Sequence, residues 1–148
     1  MAAKLHKHPQ LSRKFPALTH LNHKITSPVD LSYNCIAWAL DDTTRWWWPD
    51  AMGDGFWPSN IPREVTITAF EGMLQQQGYS PCVRRTVEKG LEKVALYVRA
   101  GVPKHLAKQT PKGKWSSKLG IVEDIEHSLD ALGGPEYGVV HQVYSRRN

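Results

Sequence analysis

The sequence contains few cysteines and no long apolar run, and both features exclude whole classes of protein. Its 148 residues include two cysteines, Cys35 and Cys82, too few for the disulfide framework of a small secreted domain. No stretch approaches the roughly eighteen consecutive apolar residues that a membrane-spanning helix needs. The basic N-terminus lacks the apolar segment of a signal peptide. We therefore expect a cytoplasmic protein with no membrane association, in which a cysteine is free for chemistry.

Motifs for metal and nucleotide binding are missing as well. Zinc sites use closely spaced pairs such as C-x-x-C or H-E-x-x-H, and neither pattern occurs here. His6 and His8 form a pair, but no further ligand lies near them in the sequence. No metal and no other cofactor is expected.

Acidic residues are absent from the first 24 positions, and this explains the positive net charge of +5. The remaining residues hold equal numbers of basic and acidic side chains, so the body of the chain is neutral. A nucleic-acid-binding domain normally has a basic face on its folded part, so nucleic acid is not an expected partner. We predict a basic, irregular N-terminal arm over residues 1–29 and a single α+β domain over residues 30–148.

Apolar spacing predicts helices in the first half of this domain and strands in the second. A helix begins near Cys35, and another starts near residues 62–64 and stops at Gly78. Strands are predicted over 93–98, 105–110, 114–118 and 137–144, with one further helix over 121–132. The predicted fold class is α+β, with the first helix packed on an antiparallel sheet.

Cys35 is the first candidate for chemistry. Ile36, Ala39 and Leu40 have helical spacing, and Ser32 or Asn34 can cap the helix, so Cys35 lies in its first turn. The unpaired N–H groups of a first turn stabilise a thiolate and can receive an oxyanion. The sequence therefore predicts a reactive thiolate at Cys35, supported by Asn34.

His105 is the candidate base for this nucleophile. It is predicted to open a strand directly after Gly101-Val102-Pro103, where a side chain can protrude at the end of a sheet. A two-residue hairpin loop would place Lys118 opposite His105, and a three-residue loop would place Ser117 there. Ser117 is the third catalytic candidate. Gln109 is a supporting candidate on the same face, roughly 13 Å along the strand.

Residues 45–58, the Trp-rich loop, supply the candidate binding surface. Gly, Pro and Asp residues predict a loop, and aromatic faces can stack on a sugar or a peptide. The candidate binding residues are Trp46, Trp47, Trp48 and Trp57. They favour an alternative function, a non-catalytic binding or inhibitor protein with a protein partner.

The segment from Asn34 to Ala39, N-C-I-A-W-A, resembles the nucleophile helix of papain-like peptidases and amidases, including bacterial cell-wall peptidases of the NlpC kind. His105-Leu106-Ala107 resembles their histidine strand. The chain also resembles, over about residues 31–140, a group of small uncharacterised bacterial proteins. Those proteins share N-C-I-A-W-A, a Trp-rich loop, W-x-S-K-x-G and D-I-E-H.

The resemblance implies a papain-like core and a cysteine-dependent hydrolase. Its substrate would be a peptide or amide, cleaved through a thioester at Cys35 with His105 as base and then acid. Papain-like sites usually add an Asn or Asp that orients the histidine. Neither residue type occurs between His105 and Asp124, so the sequence departs from that pattern.

Overall fold

One antiparallel sheet is the main regular structure of the computed structural model, which describes residues 15–18, 22–27, 32–119 and 124–148. Two α-helices and one 3-10 helix accompany the sheet in these ranges. The elements are β1 (His23–Ser27), α1 (Cys35–Ala39), α2 (Ile67–Gln76), β2 (Ser80–Cys82), β3 (Leu91–Arg99), β4 (Val102–Gln109), β5 (Trp115–Lys118), β6 (Asp124–His127), the 3-10 helix (Leu129–Leu132) and β7 (Val139–Arg147).

The seven strands lie in the order β1-β6-β5-β4-β3-β7-β2, and each neighbouring pair is antiparallel. β3 lies between β4 and β7 and is buried on both faces. Val94 and Leu96 point to one side, whereas Ala95 and Tyr97 point to the other, as strand alternation requires. β3 is therefore an interior strand that supports a layer on each face.

The predicted papain-like α+β core, with a nucleophile helix packed on a sheet, is wrong. The described part of the chain is mainly a seven-stranded sheet, and its α-helices have only five and ten residues. α1 is short because Asp41 takes a left-handed conformation, with φ of 60°, and directs the chain into the Trp-rich loop.

The helix predicted over residues 121–132 is also wrong. Asp124–His127 forms β6, which pairs with β5 on one side and β1 on the other. The D-I-E-H segment alternates its side chains across the sheet, and two strands are available to satisfy its backbone groups. Only the single 3-10 turn Leu129–Leu132 is helical. Residues 121–123 lie outside the described residues.

The start of β4 changes the environment of His105. Ala100 and Gly101 both have positive φ and form a tight turn, so β4 already begins at Val102. His105 is the fourth residue of the strand and is fully buried. The prediction that His105 protrudes at the end of the sheet is therefore wrong.

A core lies on each face of the sheet. The helix-side core packs α1, α2 and the Trp-rich loop on the sheet and includes Cys35, Ile36, Phe70, Met73, Leu96 and Leu106. The opposite core lies under the N-terminal segment and the 3-10 helix and includes Phe15, Tyr97, Trp115, Ile125 and Leu132. Because β4 alternates, Leu106 faces the first core and Ala107 the second.

Part of the segment predicted as an irregular arm is ordered on the sheet. His23–Ser27 forms β1, an edge strand paired with β6, instead of irregular lead-in. Phe15 and Leu18 are buried in the opposite core, and the Phe15 ring contacts Tyr137 with centroids 4.9 Å apart. Residues 1–14, 19–21, 28 and 29 of the predicted arm lie outside the described residues.

Replacing Phe15 should destabilise the fold, because its ring is only 2% exposed. Phe15→Ala removes a buried aromatic ring and should lower the free energy of unfolding by about 3 kcal/mol. Urea unfolding followed by circular dichroism measures this change. Met52→Ala is the control, since Met52 is 85% exposed and its loss should change stability by less than about 0.5 kcal/mol. Equal stabilities for the two variants would show that the N-terminal segment does not pack on the sheet.

Candidate functional site

Cys35 lines a cleft with a volume of about 640 Å³ at the N-terminus of α1. Trp46 and Trp48 of the Trp-rich loop form part of the wall, and Tyr137, in the turn before β7, forms another part. Asn34 also lines this cleft, which we call the Cys35 cleft. The structure therefore brings two of the four candidate tryptophans to the candidate nucleophile.

The Cys35 thiol is protonated in this environment. Burial raises the pKa of Cys35 to about 11, against the opposing effect of backbone hydrogen bonds from Leu106, Ile36 and Cys35 itself and of the positive charge of Lys118. The backbone N–H groups of Cys35 and Ile36 have no partner within the helix because they belong to its first turn. The first turn does act on the thiol as the sequence predicted, but desolvation outweighs it, and the predicted resting thiolate does not form.

Asn34 joins α1 to the Trp-rich loop. Its Oδ1 accepts hydrogen bonds from the backbone N–H of Ala37 at 3.3 Å and of Trp47 at 3.0 Å. Its Nδ2 donates to the carbonyl of Trp47 at 2.7 Å. Asn34 is thus the helix N-cap, as predicted, and it also fixes the loop against the nucleophile.

The loop behind Trp48 is held by a second set of polar contacts. The Asp50 carboxylate accepts hydrogen bonds from the N–H groups of Asp54 and Gly55, and these bonds hold the pKa of Asp50 below its usual value. Arg63 donates to the carbonyls of Asp50 and Gly55, both at 2.9 Å. A Cβ at Gly55 would lie 2.7 Å from the Trp48 carbonyl oxygen, so only glycine fits there.

The other two candidate tryptophans lie in the helix-side core. Trp47 is 5% exposed and donates from Nε1 to Asp42 at 2.8 Å. Trp57 is equally buried, donates to the carbonyl of Pro62 and packs on Phe70. Neither indole lines the Cys35 cleft. Their contacts support the loop that carries Trp46 and Trp48.

His105, Ser117 and His127 form a buried hydrogen-bonded chain across three neighbouring strands. His105 Nε2 lies 2.9 Å from Ser117 Oγ, and Ser117 Oγ lies 2.7 Å from His127 Nε2. His127 Nδ1 lies 2.7 Å from the carbonyl oxygen of Ser128. The Thr110 N–H donates to the Lys114 carbonyl at 2.8 Å, and Gln109 pairs with Trp115, so a three-residue loop, residues 111–113, joins β4 and β5. The two-residue alternative is wrong, and in the three-residue loop that forms, Ser117 is not directly opposite His105 as expected. This register makes His105 and Ser117 diagonal neighbours on one face.

The chain of hydrogen bonds determines where each proton lies. Burial lowers the pKa of His127 to about 4 and that of His105 well below 6.5, so both rings are neutral at pH 7 and carry one N–H each. The Ser128 carbonyl can only accept, so His127 donates from Nδ1. His127 Nε2 then accepts the proton of the Ser117 hydroxyl, and the Ser117 oxygen accepts from His105 Nε2.

His105 Nδ1 is therefore an unprotonated acceptor, and it has no hydrogen-bond partner among the described residues. The ring of Tyr137 stacks on the His105 ring, with centroids 4.2 Å apart and an angle of 6° between the planes. Tyr97 contacts the ring from another side at 5.5 Å. These contacts fix the orientation of the imidazole and leave the lone pair of Nδ1 available to accept a proton.

No hydrogen bond joins Cys35 to His105, because His105 Nε2 bonds Ser117 and Nδ1 has no partner in the part of the chain that the structure describes. The two residues are nevertheless linked through two neighbours. Leu106, directly after His105, contacts the Cys35 thiol through its backbone, and Tyr137 both lines the Cys35 cleft and stacks on His105. His105 shares its face with the opposite core, whereas Cys35 belongs to the helix-side core.

A buried ion pair lies on the Cys35 side of the same strands. Lys118 Nζ is 4.0 Å from Asp124 Oδ1, and both side chains are fully buried. The Tyr33 hydroxyl donates to Asp124 Oδ2 at 2.9 Å. Lys118 therefore supplies a fixed positive charge that opposes the rise in the pKa of Cys35.

Gln109 lies away from this site. It donates to the carbonyl of Arg85 at 2.8 Å and lines a different cavity of about 450 Å³.

Among the described residues, no group of three or more His, Cys, Asp or Glu side chains could hold a metal ion. In the same residues, no helix is long and apolar enough to cross a membrane.

Two residues of the site were missed by the sequence reasoning. His127 was assigned to a helix, although the alternation of D-I-E-H placed it on the same face of a strand as Ile125. Tyr137 was read as the start of the last strand, but it precedes β7 in a turn next to Gly138, whose φ is 76°. A Cβ at Gly138 would lie 2.1 Å from the carbonyl oxygen of Val98, so this turn lies directly against β3.

Comparisons with known proteins give a family but no function. A family model described as "Domain of unknown function (DUF7689)" matches residues 24–145. Searches of curated proteins and of solved structures each returned no match. The resemblance to papain-like enzymes therefore stays a prediction.

Acidification should destabilise the fold between pH 6.5 and 4.5. The folded chain holds His127 neutral down to about pH 4, whereas the unfolded chain takes up the proton near pH 6.5. Stability is lost as the pH falls through this window, by up to roughly 3 kcal/mol for His127 alone. His127→Gln should reduce this loss, whereas His141→Gln, at an exposed position, should keep the wild-type dependence. Thermal unfolding at several pH values measures the difference, and identical slopes would contradict the assignment.

Cys35 should react with a small alkylating reagent more slowly than Cys82. Cys35 is buried with a thiol pKa of about 11, whereas Cys82 is only partly buried on the edge strand β2. Iodoacetamide at pH 7.5 should therefore label Cys82 first, as followed by peptide mass spectrometry. Cys82→Ser isolates the slow reaction at Cys35. Faster labelling of Cys35 would show that its thiol ionises more readily than its burial implies.

Proposed function

We propose that this chain, which belongs to the DUF7689 family, is a cysteine-dependent hydrolase that cleaves an amide or peptide bond through Cys35. The observation that carries the proposal is the buried, unprotonated Nδ1 of His105, which has no hydrogen-bond partner within the described ranges. Leaving a buried polar atom unpaired costs about 1–3 kcal/mol, so stability alone gives no reason for this arrangement. A general base requires such a nitrogen.

In the first half of the reaction, the Cys35 sulfur attacks the carbonyl carbon of the substrate while its proton passes to His105 Nδ1. The carbonyl oxygen takes the negative charge, and the backbone N–H groups of Cys35 and Ile36 are available to stabilise it. The buried charge of Lys118 adds to this stabilisation. The C–N bond then breaks, the amine leaves with the proton from His105, and a thioester remains on Cys35.

In the second half, water attacks the thioester carbonyl and gives its proton to His105 Nδ1. The C–S bond breaks, the carboxylic acid leaves, and His105 returns the proton to the sulfur. The enzyme is thus regenerated with a protonated thiol and a neutral imidazole. The resting state of the structure is this pair, rather than a thiolate and an imidazolium.

Substrate binding has to bring the sulfur and His105 Nδ1 into contact. Catalytic hydrogen bonds are often long in the free enzyme and tighten in the substrate complex. Tyr137 is the residue that couples the two, because it lines the Cys35 cleft and stacks on His105. A substrate that displaces the Tyr137 ring would free the imidazole to shift until its Nδ1 edge, where the lone pair lies, faces the Cys35 cleft.

A second candidate function is ligand binding without catalysis. The observation that favours it is the position of Trp46 and Trp48 on the Cys35 cleft, with Trp46 39% exposed. Such walls bind the flat faces of sugars and the side chains of peptides. In this case Cys35 would be part of the cleft surface, and a peptide, a sugar or a protein segment would occupy the cleft.

A peptidyl epoxysuccinate distinguishes the two functions, because a cysteine opens its ring only where binding and proton transfer are both provided. The hydrolase should be labelled at Cys35 faster than at Cys82, the reverse of the order expected with iodoacetamide. His105→Ala should reduce labelling of Cys35 by about 10²-fold or more. Intact mass and peptide mapping identify the modified residue.

Cys82→Ser is the matched control and should be labelled at Cys35 like the wild type. Trp48→Ala should weaken peptide binding under either function, and under the hydrolase function it should also slow the labelling of Cys35. If Cys35 is not labelled, while a folded Trp48→Ala variant loses binding of the corresponding peptide, the chain is a binding protein and the hydrolase is excluded.

A further inference from the structure

We infer that His127 is a positioning residue for His105: acting through the Ser117 hydroxyl, it holds His105 in the tautomer that leaves Nδ1 bare. The inference rests on the proposed function for its purpose, but the tautomer itself is a property of the folded chain. His127 lies two strands away from His105, on β6, and its Nε2 is hydrogen-bonded to Ser117 rather than to the ring of His105.

The donor and acceptor roles in the hydrogen bonds from His105 to Ser128 are set at the Ser128 end. The carbonyl oxygen of Ser128 accepts from His127 Nδ1 at 2.7 Å and from the N–H of Ala131 at 3.2 Å. Ser128 precedes the 3-10 helix, and its own N–H donates to the carbonyl of Asn22 at 3.1 Å. A backbone carbonyl has no proton to give, so this end of the chain can only accept.

The proton positions on Ser117 and His105 follow from the acceptor at Ser128. With its proton on Nδ1, neutral His127 offers only a lone pair at Nε2, so the Ser117 hydroxyl donates to it at 2.7 Å. A hydroxyl has one proton, and Ser117 can then only accept from His105 at 2.9 Å. The proton of His105 is thereby confined to Nε2.

The other contacts of His105 do not select a tautomer. Tyr137 stacks face to face on the imidazole, and Tyr97 meets it in a T-shaped contact, but neither tyrosine hydrogen-bonds a nitrogen of the ring. His105 is fully buried, and bulk water does not reach its nitrogens. Among the described residues, Ser117 is the one hydrogen-bonding partner of this ring, and the direction of that bond depends on His127.

Removing the acceptor at His127 Nε2 should reverse the direction of the hydrogen bond between Ser117 and His105. In His127→Leu the Ser117 hydroxyl has no lone pair at the former Nε2 position, and it is free to donate to His105 Nε2. The proton of His105 then moves to Nδ1, the nitrogen that the proposed reaction needs bare. In His127→Gln the side-chain oxygen can accept from Ser117 in place of Nε2, so the wild-type tautomer should be retained.

Nitrogen-15 NMR of the imidazole rings at pH 7.5 tests the inference, with the His105 signals assigned from His105→Gln. The wild type and His127→Gln should show His105 protonated at Nε2, and His127→Leu should show it protonated at Nδ1. Ser117→Ala breaks the chain at its centre and should give a mixture of both tautomers. Circular dichroism checks that each variant is folded.

An unchanged Nε2 tautomer in folded His127→Leu would overturn the inference. If that variant does not fold, Ser117→Ala decides, since a pure Nε2 tautomer there would equally show that the chain does not set the proton position. The same spectra can be recorded on Cys35→Ala, so the result does not depend on catalysis.

The predicted tautomer and the proposed reaction can thus be disproved independently of each other. A tautomer switch in a protein that never labels at Cys35 would leave the role of His127 intact and remove the hydrolase. If Cys35 does label, His127→Leu should slow the reaction by on the order of 10²-fold, and His127→Gln should restore most of the rate. A merely structural role would not give this rescue together with the tautomer change.

Discussion

The antiparallel pairing of β4 with β3 is the contact on which both faces of the molecule depend. It joins Leu96 to Leu106 and Tyr97 to His105 in adjacent pairs. Because side chains alternate along a strand, consecutive residues of β4 serve different cores. Leu106 carries the backbone contact to the Cys35 thiol, while His105 is held in the opposite core. One strand therefore sets the distance between the two candidate catalytic groups.

Burial requires the two histidines in the opposite core to be neutral. A charged imidazole in the opposite core would have to lose its hydration, and the sheet offers no carboxylate next to either ring in the contacts described. Two neutral imidazoles with a hydroxyl between them satisfy three of their four ring nitrogens. The fourth, His105 Nδ1, has no partner among the residues that the structure describes.

Short-range patterns made part of this arrangement predictable. The Asn34 cap and the start of α1 at Cys35 follow from neighbouring residues, and the stop of α2 before Gly78 follows from a glycine with φ of 92°. The interior of β3 follows from its apolar residues. These features depend on contacts within a few positions, which a sequence displays directly.

Contacts between distant strands were not predictable in the same way. Ser117 was predicted near His105, but the register of the three-residue loop that forms makes it a diagonal neighbour rather than the residue directly opposite. His127 was missed because the apolar residues around it, Ile121, Ile125, Leu129 and Leu132, have helical spacing. The four residues of β6 are too few for their alternation to stand out against that spacing. Which tryptophans face the cleft depends on the bonds from Asn34 to Trp47, and no periodicity records them.

The double bracing of the Trp-rich loop has a consequence for molecular recognition. Asn34 fixes one end of the loop, and Arg63 binds carbonyl groups at the other, so the walls at Trp46 and Trp48 exist before any ligand arrives. A loop that is already ordered loses little conformational entropy on binding. The Trp46 and Trp48 walls of the cleft are therefore preorganised, and they select ligands by shape without a rearrangement of this loop.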